Sequence, residues 1–297
     1  MAVDAADIVS RRRRLVRGAL TGWAGFVYLF LFAPIILLVL FSFNANQYGT
    51  LPITGWTLNW YHQALSDFLI QAAVKTTLWV ALEVTLISTV VGTAAAFPLV
   101  RSNIRFRSVI RAGLLLPIMI PGLLIGVSLL AFLTGVLHLA LSNQTAVIGQ
   151  SVYTTPFVIL VVASRLEGFD RSLEVAASDL GANSLQRLRY VVLPLIGPAI
   201  FAGAVFAFTL SLDEFVITLF LIGSGNTLPI YIYTQVKFGI TPEVNAVATL
   251  LIAASLGLSG LAFALPGLIR TASRRWHGRR TRPAGPLNHE TIGVING

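Results

Sequence analysis

The sequence predicts an all-α integral membrane protein with six transmembrane helices and both termini in the cytoplasm, and three observations carry that expectation. Of 297 residues, 56% are apolar and 11% charged, whereas a water-soluble domain carries about 25% charged residues. The apolar residues are gathered in long runs, several of them at or beyond the roughly 20 residues that one helical crossing requires. The basic residues sit in short blocks between those runs. A pI near 10.6 therefore reads as membrane topology and not as a nucleic-acid surface.

The first span is expected within the charge-free stretch 18–66, at about 22–43, with Pro34 inside it. The second runs from about 76 to 100, opened by Lys75, closed by Arg101 and carrying Glu83. The run 112–164 holds no charged residue and is long enough for two crossings, with Ser142-Asn143-Gln144-Thr145 as the turn between them. The fifth span starts after Leu193-Pro194, contains Asp213 and Glu214, and ends near Gly223, where Gly-Ser-Gly-Asn marks a loop. The sixth occupies 244–269, between Glu243 and Arg270. The chain thus divides into a basic N-terminal segment, 1–21, a membrane domain, 22–270, and a tail, 271–297, which is expected to be solvated and partly disordered.

Orientation follows from the placement of Lys and Arg, which are retained in cytoplasmic loops. Alternate segments hold five basic residues at 11–17, four at 101–111, four at 165–189 and six at 270–282; the opposite side keeps only Lys75 and Lys237. One missed or invented helix would mix the two sets. The N-terminal Arg run has the shape of a secretory signal, but no Ala-x-Ala-like site follows the apolar stretch, so an uncleaved span is expected.

Several chemistries have no support. Without cysteine there is no disulfide framework, thiolate metal site or Cys nucleophile. His62, His138, His277 and His289 show no helical ligand spacing, so no metal site is expected. A P-loop needs Gly-Lys-Ser/Thr, and both lysines follow valine. A Gly-x-Ser-x-Gly elbow and a His-Glu-x-x-His motif are also missing. The chain is expected to be no enzyme, to carry no catalytic residue and to bind no nucleic acid.

The cytoplasmic stretch 165–198 is far longer than the other short cytoplasmic loop, and connections of this length inside a compact bundle usually have a purpose. Asp170 or Ser172 can cap a helix running through Asp179, and Gly181 can end it. Ser184 can then cap a second helix that reaches the Leu193-Pro194 break. Ala176, Ala177 and Ser178 leave a surface of low relief that a neighbour can approach closely.

Ala176-Ala177-Ser178-Asp179-Leu180-Gly181, followed at the expected distance by Val191 and Leu193-Pro194, resembles the EAA loop of ABC-importer permease subunits. That pattern is Glu-Ala-Ala-x-x-x-Gly, nine residues, an aliphatic residue, one residue, Leu-Pro. Its Glu falls on Val175, and the nearest acid is Glu174, one position earlier. Trp56-Thr57-Leu58-Asn59-Trp60-Tyr61 looks like the family's lead-in to the second span, and Leu115-Leu116-Pro117 to Leu130 fits its Pro-containing third span. The segments Phe206 to Thr218, Leu228 to Tyr231 and Gly239 to Ala246 look like those of C-type permease subunits of spermidine/putrescine importers.

The resemblance implies a type I importer fold in a bacterial cytoplasmic (inner) membrane. It also implies several partners: two copies of an ATP-binding subunit that hold ATP and Mg, a second permease of B type, and an extracytoplasmic substrate-binding protein. Glu174, Ala176, Ala177, Asp179, Gly181, Leu193 and Pro194 would then couple to the ATPase. A polyamine is the implied substrate, with other small solutes such as opines or aminophosphonates as alternatives. A secondary transporter working without an ATPase is the rival class, but such folds often carry an inverted repeat, and the sequence shows no convincing one.

Acids inside a membrane mark a pathway by default, because a lipid-facing charge is expensive. Counted from the expected span ends, Glu83, Asp213 and Glu214 reach similar depths of roughly 12 to 15 Å at 1.5 Å per residue. They are expected to form a cation-attracting ring in the outer half of the pathway, with Trp79 and Phe215 as aromatic walls. Neighbouring helix positions differ by about 100°, so Asp213 and Glu214 cannot both point straight into one path.

Overall fold

The computed structural model describes residues 2–47, 51–102, 105–239, 241–257 and 260, with side chains from residue 13 onward. Among the described residues every regular element is helical, and the nearest approach to a strand is one antiparallel bridge between Asn44 and Trp56. Helix α1 (Ala2–Ser42) runs unbroken through Pro34 and across the expected segment boundary at 21–22. Its apolar window is 0% buried, and it is tied down at its last residue, where the Ser42 and Tyr61 hydroxyls lie 2.6 Å apart.

Helices α2 (Asn59–Ser66) and α3 (Phe68–Arg101) meet at Asp67, whose Oδ1 accepts from the Leu69 and Ile70 amides at 2.6 and 3.2 Å. That N-cap, rather than Lys75, starts the helix, which therefore begins before the expected 76. Helices α4 (Arg107–Met119) and α5 (Gly122–Ala131) replace the continuous third crossing with a pair bent by 102°. Pro121 is the cause. Its ring disfavours helical geometry at the residue before it, and Ile120 is extended, with ψ 128°. A π turn at Phe132–Val136 ends this limb. Helix α6 (Asn143–Glu167) starts at the expected turn, where the Ser142 amide donates to Thr145 Oγ1 at 2.7 Å.

Helix α7 (Ser172–Asp179) is followed by α8 (Ser184–Arg187), a π turn at Leu188–Val192, and α9 (Leu193–Asp213). The expected break at Leu193-Pro194 does not occur. Residues 184–213 form one helix of 30 residues, because Pro194 stands at the first positions of α9, directly after the wide π turn, where its missing N–H is tolerated. Conversely, the fifth crossing stops early. Glu214 is extended, with φ −70° and ψ 112°, and a short helix α10 (Val216–Leu221) follows the break. Helices α11 (Leu228–Phe238) and α12 (Pro242–Gly257) complete the described chain. Apart from residue 260, the rest of the expected sixth span to 269, the tail 271–297, His277, His289 and the basic residues at 270–282 lie outside the described residues.

Among the described residues, four helices are long and apolar enough to cross a membrane, in α1, α3, α6 and α8–α9, and the bent α4–α5 pair makes five. The bundle's centre is the packing of α3, α6 and α9, with Ala96, Val158, Val162, Ile196 and Ala207 buried together. A second cluster joins α5, α6 and α10 through Ile125, Ala146, Ile217 and Leu221. Gly149 permits this contact: a Cβ there would fall on Leu221 Cδ1 and lie 2.9 Å from Ile217 Cγ2.

Candidate functional site

Two regions at opposite ends of the α3–α6–α9 bundle hold the residues singled out in the sequence. At the end bearing most of the arginines, the Asp170 carboxylate accepts from the Ser172 amide at 2.9 Å and so opens α7. Hydrogen bonds from the Ser172 amide and hydroxyl hold this fully exposed carboxyl below its usual pKa. Helix α7 ends in a Schellman motif: the Gly181 amide donates to the Ser178 carbonyl at 2.8 Å and the Ala182 amide to the Ala177 carbonyl at 3.0 Å. Gly181 supplies the positive φ of 85° that the motif needs. The second limb is capped by Asn183 rather than Ser184. Asn183 Oδ1 accepts from the Gln186 amide at 2.9 Å, and Gln186 Oε1 accepts from the Asn183 amide at 2.8 Å.

Helix α7 buries no residue. Val175, Leu180 and Leu185 are 60%, 89% and 71% exposed, and Ala176, Asp179, Leu193 and Pro194 are also exposed. Glu174 behaves differently, lying 2.7 Å from Arg101 Nη2 and accepting from Nη1 at 2.9 Å, with both side chains largely covered. The Arg101 guanidinium stands over the rings of Phe97 and Phe169 at 5.3 and 5.4 Å. Ser178 is held by Arg187, whose Nη1 donates to its hydroxyl oxygen at 2.5 Å.

At the other end, the acids are separated. Glu83 and Trp79 line a cavity of 240 Å³ with Lys75, Thr76, Asn143 and Gln144. Asp213, exposed at the end of α9, accepts from the Ser255 hydroxyl of α12 at 3.3 Å. Glu214 turns the other way and caps α10, with its carboxylate accepting from the Ile217 amide at 3.1 Å and the Thr218 amide at 3.3 Å. Phe215, half-buried, packs its ring on Tyr233 with centroids 4.8 Å apart. Asp213 and Glu214 thus engage different elements, Ser255 of α12 and the first turn of α10.

A buried polar group holds that break. Gln150 of α6 donates through Nε2 to Thr218 Oγ1 at 2.6 Å, and its Oε1 accepts from the Ser211 hydroxyl. The Thr218 hydroxyl in turn donates to the Glu214 carbonyl at 3.1 Å. One amide side chain therefore ties both sides of the α9–α10 break to α6. Sequence reasoning passed over Gln150, although an amide inside an apolar crossing, beyond the Ser142–Thr145 turn, is a readable signal. Arg101 was counted only for topology, and nothing in the sequence announced Phe97 or Phe169 as its neighbours.

A family model described as the binding-protein-dependent transport system inner membrane component matches residues 88–282. The chain is similar to the spermidine/putrescine transport system permease protein PotC of Haemophilus influenzae, at 39% identity over 234 residues, covering 78% of this chain and 90% of that protein. It is also similar to the putrescine transport system permease protein PotI of Escherichia coli, at 37% identity over 241 residues, covering 78% of this chain and 85% of that one. Its fold resembles a chain in the crystal structure of a bacterial ABC transporter involved in the import of the acidic polysaccharide alginate. There the TM-score is 0.69 at 16% identity, covering 86% of this chain and 96% of that chain.

Proposed function

The chain belongs to the binding-protein-dependent transport-system inner-membrane component family, and on that premise we propose that it lines half of a polyamine pathway and receives an ATPase on its α7–α8 loop. It is a permease subunit of an ABC importer and not an enzyme; ATP hydrolysis resides on a separate subunit. The complete complex contains two ATPase copies that hold ATP and Mg, a B-type second permease, and an extracytoplasmic binding protein that delivers substrate. In a bacterial inner membrane the six crossings are α1, α3, the bent α4–α5 pair, α6, α8–α9, and the sixth span expected at 244–269, of which α12 is the described part. Segments 1–21 and 271–297 then both lie in the cytoplasm, with the membrane domain, 22–270, between them.

The polyamine assignment is supported by the likeness to PotC and PotI across most of the chain, and by exposed carboxylate at the pathway's outer end. Asp213 attracts a polycation and repels an anionic solute.

The observation that carries the docking is the exposure of Val175, Leu180 and Leu185 on a loop whose first helix buries nothing. An apolar patch of this kind marks a protein contact. Leu180→Glu places a charge in that contact while every membrane helix keeps its sequence. We expect the variant to reach the membrane at normal abundance and to lose co-purification of the ATPase by about tenfold or more, as removal of a central apolar anchor does. Undiminished co-purification would remove Leu180 from the contact.

A further inference from the structure

Helix α7 buries none of its residues, so hydrophobic packing is not what carries a push on this helix into the bundle. Its two limbs reach the bundle by different means. Beyond Gly181, α8 continues without a break into α9, and the whole of 184–213 is one helix ending at Asp213. On the near side, the side-chain contact from α7 to α3 is the two-pronged ion pair of Glu174 with Arg101, at 2.7 and 2.9 Å. Arg101 is the last residue of α3 and is steadied by the faces of Phe97 and Phe169. A guanidinium held over two ring faces loses rotamer freedom before it meets the carboxylate, which stiffens the contact. Helix α3 is continuous from Arg101 back to Glu83 and Trp79, roughly 27 Å at 1.5 Å per residue.

We propose that the Arg101–Glu174 pair is the transmission link of this permease, carrying displacement of α7 into α3 so that α3 and α9 move together. The proposal rests on α7–α8 being the ATPase-docking loop, and it gives Arg101 and Glu174 a role inside this chain instead of at the ATPase surface. Both are positioning residues. The pair lets one docking event push Glu83 directly through α3 while it moves Asp213 through α9, whereas without it α3 follows the loop only through its packing against α9.

The test uses the complete transporter in proteoliposomes and reads substrate transported per ATP hydrolysed. Arg101→Ala and Glu174→Gln are each expected to lower that ratio by about fivefold while the ATPase stays bound. Because the residues act through each other, the double variant is expected to stay within about twofold of either single; independent contributions would multiply to roughly 25-fold. Arg101→Lys keeps the charge but not the fork and is expected to recover part of the ratio. A merely structural role would lower abundance without changing the ratio. Singles with an unchanged ratio, effects that multiply, or loss of ATPase binding in Arg101→Ala would each overturn the link. Leu180→Glu, run alongside, separates the two readings: if it loses the ATPase while the Arg101 and Glu174 variants keep their ratio, only the link fails. If it keeps the ATPase, the docking surface fails first.

Discussion

Asp213→Asn should raise the KM for polyamine uptake by roughly fivefold, the effect of about 1 kcal/mol lost when one partner of a solvent-exposed charge contact is neutralised. The substitution keeps the side chain's shape and lets the Ser255 contact survive, since an amide oxygen also accepts a hydrogen bond. Membrane abundance and ATPase binding should therefore be unchanged, and the loss should fall on KM more than on maximal rate. Glu214→Gln is expected to behave differently. Glu214 is engaged by the Ile217 and Thr218 amides, and removing its charge weakens the cap of α10 by about 1 kcal/mol. Its signature is lower stability in detergent with a smaller KM change. Initial-rate uptake at matched abundance checks both, and an unaltered KM in Asp213→Asn would take this carboxylate out of the pathway.

Gly181→Leu should abolish productive docking, for a reason confined to the backbone. A Cβ at Gly181 meets nothing within 4 Å, so no clash contributes. The cost is φ, 85° here, where an L-residue with a bulky side chain pays about 1–2 kcal/mol. The Schellman stop then relaxes, and α7 swings relative to α8, displacing Val175 and Leu180 from Leu185. Transport should fall by about tenfold or more with insertion intact, because no membrane helix changes. Gly181→Asn provides the internal control. Asparagine tolerates the left-handed region and should retain most of the transport. Equal loss in both variants would point to the side chain's presence and not to its backbone preference, and would contradict the account.

The membrane class and most helix positions were legible because they rest on strong, local signals. Long apolar runs with few or no charges made α1, α3, α6 and α9 legible, and the Ser142–Thr145 turn fell where polar residues interrupt the 112–164 run. Gly181 was legible as a helix stop because its motif is local. The breaks were harder. Pro121 bends its span by 102°, while Pro34 bends nothing and Pro194 is absorbed beside a π turn. A proline's effect depends on whether neighbouring helices and altered hydrogen-bond registers can satisfy the freed carbonyl, which the sequence does not display. The same holds for Glu214. Read as one of three pathway acids, it proved to be the cap that ends one helix and starts another, because its carboxylate found amide donors three and four residues ahead. Gln150, Ser211 and Thr218 come together from α6, α9 and α10, and Arg101 meets Glu174 across 73 residues. Contacts of that separation come from packing, not from a local pattern.

The central claim, that this chain is the permease of an ATP-driven polyamine importer, is tested most directly by reconstituting it. It should be placed in proteoliposomes with its second permease, ATPase and binding protein, and uptake of labelled spermidine and putrescine followed with and without ATP. The account predicts accumulation that requires ATP, Mg and the binding protein together, and that collapses with Leu180→Glu. Uptake driven by an ion gradient with the ATPase left out, or ATP-driven uptake of an anionic solute in place of either polyamine, would contradict it.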